Sequence, residues 1–308
     1  MPGRLFLSSG DLIGDRRYEF ARDLQLKGDL AAAAEVLEQA LEVAPNFASA
    51  WFALGEIRDD MGEADAAIAA FQKACVADPD DHHGAGVRLM RLGAKPLSDM
   101  PKAYVQSLFD QYAPRFEQEL IERLHYCAPE ILFKAVLSVR AAQKKTAFFK
   151  RAVDLGCGTG LGAAAFAKNV DTFIGVDLSP GMIEQARATG LYAELDVDDM
   201  TAALLRQRDA SADLVLAADA MVYVGELAPV LQQVQRVLMP GGLLAFTVES
   251  HDGDGVIMGG GLRYAHAAEY IRNATASAGL TLSHLVSASP RTEDQVPVRG
   301  LVVVATKA

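Results

Sequence analysis

The stretch VDLGCGTG, residues 153–160, limits what this chain can fold into more than any other. A short hydrophobic run ends in three glycines within five residues, Gly156, Gly158 and Gly160, and a helical pattern follows. Glycines so spaced bare the backbone at the tip of a strand, where it can touch a ligand directly. A second run, TFIGVDL at 172–178, ends in an acid, Asp177. Strand, glycine turn, helix, strand and acid in this order point to a doubly wound α/β domain.

The alternation continues to the end of the chain. The pattern predicts strands at 151–155, 172–178, 193–197, 212–219, 243–249, 280–288 and 298–306. Helices are expected to about 168, then from 180, at 201–207, at 226–238 and at 266–278. Hydrophobic strands joined by amphipathic crossovers give a largely parallel sheet covered on both faces. RTEDQVP joins the last two strands with no helix, so they form a hairpin and one strand runs antiparallel.

The first third has a different rhythm, helical and rich in alanine from about 15 to 91. Ala21, Gly28, Ala33, Leu37, Ala40 and Pro45 recur 34 residues later as Gly55, Gly62, Ala67, Phe71, Ala74 and Pro79. Small residues let antiparallel helices approach, glycine turns the chain, and proline follows the second helix. Trp51 and Leu54 complete the second copy, where the first has Arg17 and Phe20. This resembles the tetratricopeptide repeat, and 82–92 reads as a third helix capping the stack. Such arrays are held together by stacking neighbours, and two repeats are few. The module is therefore expected to lean on the rest of the chain or on a second subunit, as a spacer, a homodimer contact or a recognition surface for a protein partner. Residues 93–100 read as a linker. Pro101 starts a helix that Pro114 interrupts, and Pro129 opens another to about 142. The expected domains are 1–95, helical, and 96–308, beginning with a helical lid at about 101–142.

The residues around the glycine turn discriminate among ligands. A phosphate loop needs lysine and serine or threonine after its last glycine, but Leu161 and Gly162 follow Gly160. A dinucleotide turn reads GxGxxG; here the order is GxGxG, and Leu161 holds the place of the third glycine. Asp177 would serve a ribose in either case. Asp154, two residues before Gly156, would repel a pyrophosphate and suits a cationic amino group. That favours a ligand with an amino-acid tail and no phosphate over a dinucleotide.

From Ser98 to Ala308 the chain resembles a class I S-adenosylmethionine-dependent methyltransferase, with VDLGCGTG similar to the family's first cofactor motif. The pairing with repeats resembles a bacterial group of tetratricopeptide-containing methyltransferases. The resemblance implies a seven-stranded mixed sheet of order 3-2-1-4-5-7-6, with strand 7 antiparallel, and S-adenosylmethionine as cofactor. It implies that Gly156, Cys157, Gly158 and Gly160 pass the cofactor along their backbone and that Asp154 anchors its amino group. Asp177 would bind the ribose hydroxyls, Leu178 and Met182 would pack on adenine, and Asp199 with Met200 would hold the adenine amine. Asp198 competes with Asp199 for that role, because adjacent acids leave the register open. AADAMVY (217–223) matches the segment beside the methylsulfonium, making Asp219, Met221 and Tyr223 pocket candidates; Met221 reads equally as core. MPGG (239–242) matches the turn before the fifth strand.

Other pocket candidates come from chemistry. Tyr112 and Phe116 lie at helical spacing before the first strand, either as packing residues or closing over the sulfonium, where an aromatic face favours a cation. His251 in ESHDGDG is the best histidine for deprotonating an acceptor, with Tyr223 and Asp219 beside it in the catalytic set; an exposed loop histidine is the bland account. In GVIMGGGLRYAH (255–266), Arg263, Tyr264 and His266 could orient an acidic or phenolic substrate. Transfer from a sulfonium needs alignment more than acid–base apparatus, and a base only for a hydroxyl or a protonated amine.

Bulk properties bound the rest. A formal net charge of -11 disfavours a nucleic-acid surface and points to small molecules or proteins as partners. Cys75, Cys127 and Cys157 form neither a disulfide framework nor a zinc spacing, which fits a reducing cytoplasm, and no metal is expected. No apolar run reaches membrane-spanning length and the N-terminus lacks a signal-peptide core. The leading expectation is methyl transfer to a small metabolite. Protein methylation guided by the repeats and binding of the cofactor without turnover are the alternatives.

Overall fold

The computed structural model describes residues 5–113, 116 and 125–308. Pro114, where a helix break is expected, and residues 117–124 of the expected lid lie outside them. The chain divides into two compact units, 1–111 and 112–308.

The first unit is built from two antiparallel helix pairs, α1 (Leu12–Leu26) with α2 (Leu30–Val43) and α3 (Ala48–Asp60) with α4 (Ala64–Ala77). Asp11 and Asp29 cap α1 and α2 through their side chains, satisfying amides that a helix start leaves unpaired. Gly28 and Gly62 sit at φ +83° and +78°, which lets each pair turn back within a few residues. The repeating small residues Ala21, Ala33, Ala40 and Ala67 are fully buried. Gly55 shows why: a Cβ there would lie 2.5 Å from the Phe71 ring. α5 (Ala85–Arg91) follows as the expected short third helix, and α6 (Lys102–Tyr112) starts after Pro101.

The second unit opens with α7 (Ala128–Ala142), which has proline in its first turn. Then strands and helices alternate: β1 (Phe149–Leu155), α8 (Leu161–Phe166), β2 (Val170–Asp177), α9 (Pro180–Ala188), β3 (Tyr192–Val197), α10 (Met200–Arg206) and β4 (Ala212–Ala217). After α11 (Ala228–Val237) come β5 (Leu238–His251), β6 (Val256–Met258), β7 (Tyr264–Ala267), α12 (Ala268–Ser277), β8 (Leu280–Ala288), β9 (Thr292–Glu293), β10 (Val296–Pro297) and β11 (Gly300–Lys307). The main sheet runs β3-β2-β1-β4-β5-β11-β8, the expected 3-2-1-4-5-7-6, with β11 antiparallel to both neighbours.

Period-two alternation divides the core between the two faces. Val153, Leu155, Val215, Ala217, Leu244 and Phe246 face one helical layer, while Ala152, Leu214, Leu216, Leu243 and Ala245 face the other.

Two features differ from the expected pattern. β5 begins at Leu238 instead of 243, because Ala212 already pairs with Leu238 and a register shift absorbs the glycine-rich turn. Residues 256–267 fold into a hairpin, β6 with β7, and β7 adds parallel to the end of β5 at Glu249–His251. Among the described residues no helix is long and apolar enough to cross a membrane.

Candidate functional site

The site forms where β1 and β4 release the chain at their C-terminal ends, the crevice that open α/β sheets offer to ligands. Gly156, Gly158 and Gly160 all have positive φ, at +67°, +53° and +101°. The amides of Gly156 and Cys157 both donate to the Val176 carbonyl, at 2.8 and 2.9 Å, so the turn is pinned to β2. A Cβ on Gly156 would lie 2.5 Å from that of Ala220 and 3.3 Å from the Met200 methyl group, so both residues close on the turn. A Cβ on Gly158 would lie 3.7 Å from the Phe116 ring, an ordinary contact distance.

The two acids of the motif are held differently. Asp177 at the end of β2 accepts from the amides of Gly158 and Ser179, both at 2.9 Å, which fixes its carboxylate across the turn. Asp154 is buried, accepts the Tyr192 hydroxyl at 2.7 Å and lies against Gly162 in the first turn of α8. Burial pushes its carboxyl up to about 6, against the pull of that hydrogen bond.

A cavity open to solvent runs from this turn to the end of β4. Phe116, Tyr126, Asp154, Gly156, Cys157, Gly158, Thr159, Leu161, Gly162 and Ala218 line it. Tyr126 donates its hydroxyl to the Ala218 carbonyl at 3.3 Å, and burial raises its pKa. Thr159 Oγ1 is buried in the wall and has no hydrogen-bond partner among the described residues.

Ser179 caps α9 through the Met182 amide, and Met182 is fully buried beneath the half-exposed Leu178. Asp199 caps α10 through Ala202, whereas Asp198 pairs with Arg206. Tyr112 ends α6 and is not part of the cavity lining.

Beyond Ala218 the chain turns sharply. Asp219 takes φ +58°, its amide donates to Thr247 Oγ1 at 2.8 Å, and its carboxylate is gripped by Arg291. Tyr223 hydrogen-bonds Arg263, and Arg263 in turn pairs with Glu249 and Glu293. Met221 is fully buried in the core beneath the sheet.

The structure does not bring the two candidate histidines into the cavity. His251 accepts the Gly253 amide at Nδ1 and contacts the Gly255 carbonyl with Nε2, so its own loop occupies both ring nitrogens. His266 has no exposed surface; Nε2 meets the carbonyls of Val224 and Gly225, and burial lowers its pKa to about 4. Tyr264 is likewise fully buried, its ring against Gly225.

Sequence reasoning passed over Tyr126, Glu249, Glu293 and Arg291. Tyr126 lies in no periodic pattern. Arg291 and Glu293 stood in the linker RTEDQVP, whose mixed charges were the only visible signal.

Comparison with known proteins agrees with this architecture. Residues 153–246 match the model of a methyltransferase domain, and residues 18–82 that of a tetratricopeptide repeat. Human methyltransferase-like protein 27 is 30% identical over 173 residues, which cover 56% of this chain and 66% of that protein. The dimethylglycine N-methyltransferase of Parasynechococcus marenigrum is 35% identical over 112 residues, 35% of this chain and 40% of that enzyme. The chain thus spans less than two thirds of these curated relatives. In a solved structure, the 1,6-didemethyltoxoflavin-N1-methyltransferase of Burkholderia thailandensis shares the fold at TM-score 0.52 and 16% identity, covering 70% of this chain and 92% of that one.

Fold and motif together define a class I S-adenosylmethionine-dependent methyltransferase fold. This chain carries that fold behind a tetratricopeptide-like helical region. The cofactor it implies is S-adenosylmethionine, and the residues present suit that group. The glycine tip offers bare backbone, Thr159 Oγ1 in the cavity wall lacks a partner among the described residues, and a buried carboxylate stands where a cation would relieve its desolvation.

Proposed function

We propose that this protein transfers the methyl group of S-adenosylmethionine to a small-molecule acceptor. The observation that carries the reading is the cavity itself, which runs from the bare glycine turn to Ala218. In this reading Gly156, Cys157, Gly158 and Gly160 hold the cofactor by backbone approach, Asp154 faces its ammonium and Asp177 its ribose. Leu178, Met182 and Met200 form the apolar seat for adenine, with Asp199 or Asp198 at its edge.

The bound cofactor supplies a methyl carbon already activated by the positive sulfur. The protein's share is alignment and exclusion of water. Phe116 and Tyr126 cover the cavity, and their ring faces favour a cation. Tyr223 and Asp219 stand on the acceptor side. His251 and His266 are both engaged by backbone, so the acceptor's proton leaves to solvent in this scheme.

Alignment of this kind supplies roughly 7–11 kcal/mol in favourable intramolecular models. A protein acceptor is the second reading, favoured by the repeat match at 18–82. Incubation with labelled S-adenosylmethionine and cell extract, then separation by size, tests both. Label in the metabolite fraction supports the first reading, label in protein the second, and label in neither defeats transfer.

A further inference from the structure

Tyr192 opens β3, two strands away from Asp154 on β1, yet its hydroxyl reaches that carboxylate at 2.7 Å. The strand between them makes the reach possible. Gly175 of β2 is buried and stands level with Asp154, and a Cβ there would lie 2.8 Å from the Tyr192 ring. A glycine inside a strand weakens it and marks a place where another group passes close. The ring also touches the glycine turn, since a Cβ on Gly160 would stand 3.2 Å from it. Phe173 meets the ring edge-on, with centroids 5.9 Å apart, and Ile183 and Ala186 pack beside it. Two glycines, one in β2 and one at the tip of the turn, thus keep a slot for a single phenol.

The slot leads the phenol to a carboxylate that lines the cavity and is only 1% exposed. A buried carboxylate tends to take up a proton, and donors to its charged form oppose that. Tyr192 is one such donor to Asp154, and the Ala163 amide in the first turn of α8 is another. Burial pushes the Tyr192 hydroxyl far above its usual range, so it keeps its proton and donates. The other described titratable groups facing Asp154 are Asp177 from the end of β2, Cys157 in its own turn and Tyr126 from the cavity wall. The Asp177 charge drives Asp154 further toward protonation, and Tyr192 pulls the other way.

We propose that Tyr192 is a positioning residue for cofactor binding, its hydroxyl holding Asp154 ionised and in place to receive the ammonium of S-adenosylmethionine. The proposal rests on the methyl-transfer reading and states what sets the pH range over which that site binds. A phenol suits this task because it is a neutral donor. It orders the carboxylate without cancelling the charge that the ligand must meet, whereas a lysine or arginine there would pair with Asp154 and compete with the ligand.

The test titrates the full chain calorimetrically with S-adenosylhomocysteine, and with methylthioadenosine, which lacks the amino-acid tail. Tyr192→Phe should move the pH at which S-adenosylhomocysteine affinity begins to fall upward from about 6 by about one unit. The variant should then bind roughly eightfold more weakly than the parent at about pH 5.5, roughly threefold at about pH 6.5 and within about twofold at about pH 8. Methylthioadenosine should bind both proteins within about twofold throughout. A 3-fluorotyrosine in place of Tyr192, a stronger donor of nearly the same shape, should move the fall to lower pH. A loss of equal size at every pH, a loss shared by methylthioadenosine, or a fall that neither replacement moves overturns the proposal and leaves Tyr192 as a packing residue. Failure of the parent to bind S-adenosylhomocysteine overturns the methyl-transfer reading instead.

Discussion

Asp154 is held between the Tyr192 hydroxyl and the first turn of α8, and burial raises its pKa to about 6. An ammonium placed against it favours the charged form, so a bound ligand lowers that pKa and a proton competes with the ligand below it. Affinity for S-adenosylhomocysteine should therefore level off about one unit above pH 6 and fall as pH drops through that value, by at most about tenfold per unit. Calorimetry at stepped pH checks this, and Asp154→Asn should flatten the profile. Asp177 permits a simpler test. Its carboxylate is already fixed by the Gly158 and Ser179 amides, so Asp177→Ala removes a prepaid orientation along with its hydrogen bonds. The loss should be about 1.5–3 kcal/mol, or roughly tenfold or more in affinity. Both acids were legible in the sequence because each sits at a fixed offset from the glycines. Arg291 was not, since its partners Asp219 and Glu249 lie 72 and 42 positions away and no local pattern joins them.

At the scale of elements, the second helix pair depends on one close approach. Gly55 lies under the Phe71 ring, so Gly55→Ala must displace an aromatic side chain that is itself fully buried. Overpacking of that kind costs about 1–3 kcal/mol and should show as a lower midpoint of chemical unfolding, read at Trp51 fluorescence. The 34-residue recurrence makes this contact legible in the sequence, because the spacing of small residues carries the packing rule. The strand order was visible for the same reason: each crossover helix and each apolar strand has its own period. The β6–β7 hairpin was hidden. VIM is too short for alternation to register, and Gly259 to Gly261 form the turn between two paired strands without a pattern of their own.

At the scale of the whole molecule, every residue lining the cavity lies in the second unit. Removing residues 1–95 should therefore leave affinity for S-adenosylhomocysteine within about threefold, or 0.6 kcal/mol, of the full chain. A larger loss would show that the repeats are needed to bind the cofactor. If the truncated protein binds normally but labels no protein in extract while the full chain does, the repeats select the acceptor.

β5 changes partners along one edge. β4 flanks it only as far as Phe246, and β7 takes up the same edge from Glu249. On that edge the two positions between have no neighbour strand, and Thr247 uses its hydroxyl to receive the Asp219 amide there. Such a relay leaves a notch on one edge of β5, and the segment 252–263 that links β5 to β7 joins the sheet only through the pairing of β6 with β7. Lengthening or trading that segment would reshape the mouth of the notch while the seven strands behind it kept their order, so descendants of this chain could change clientele without refolding.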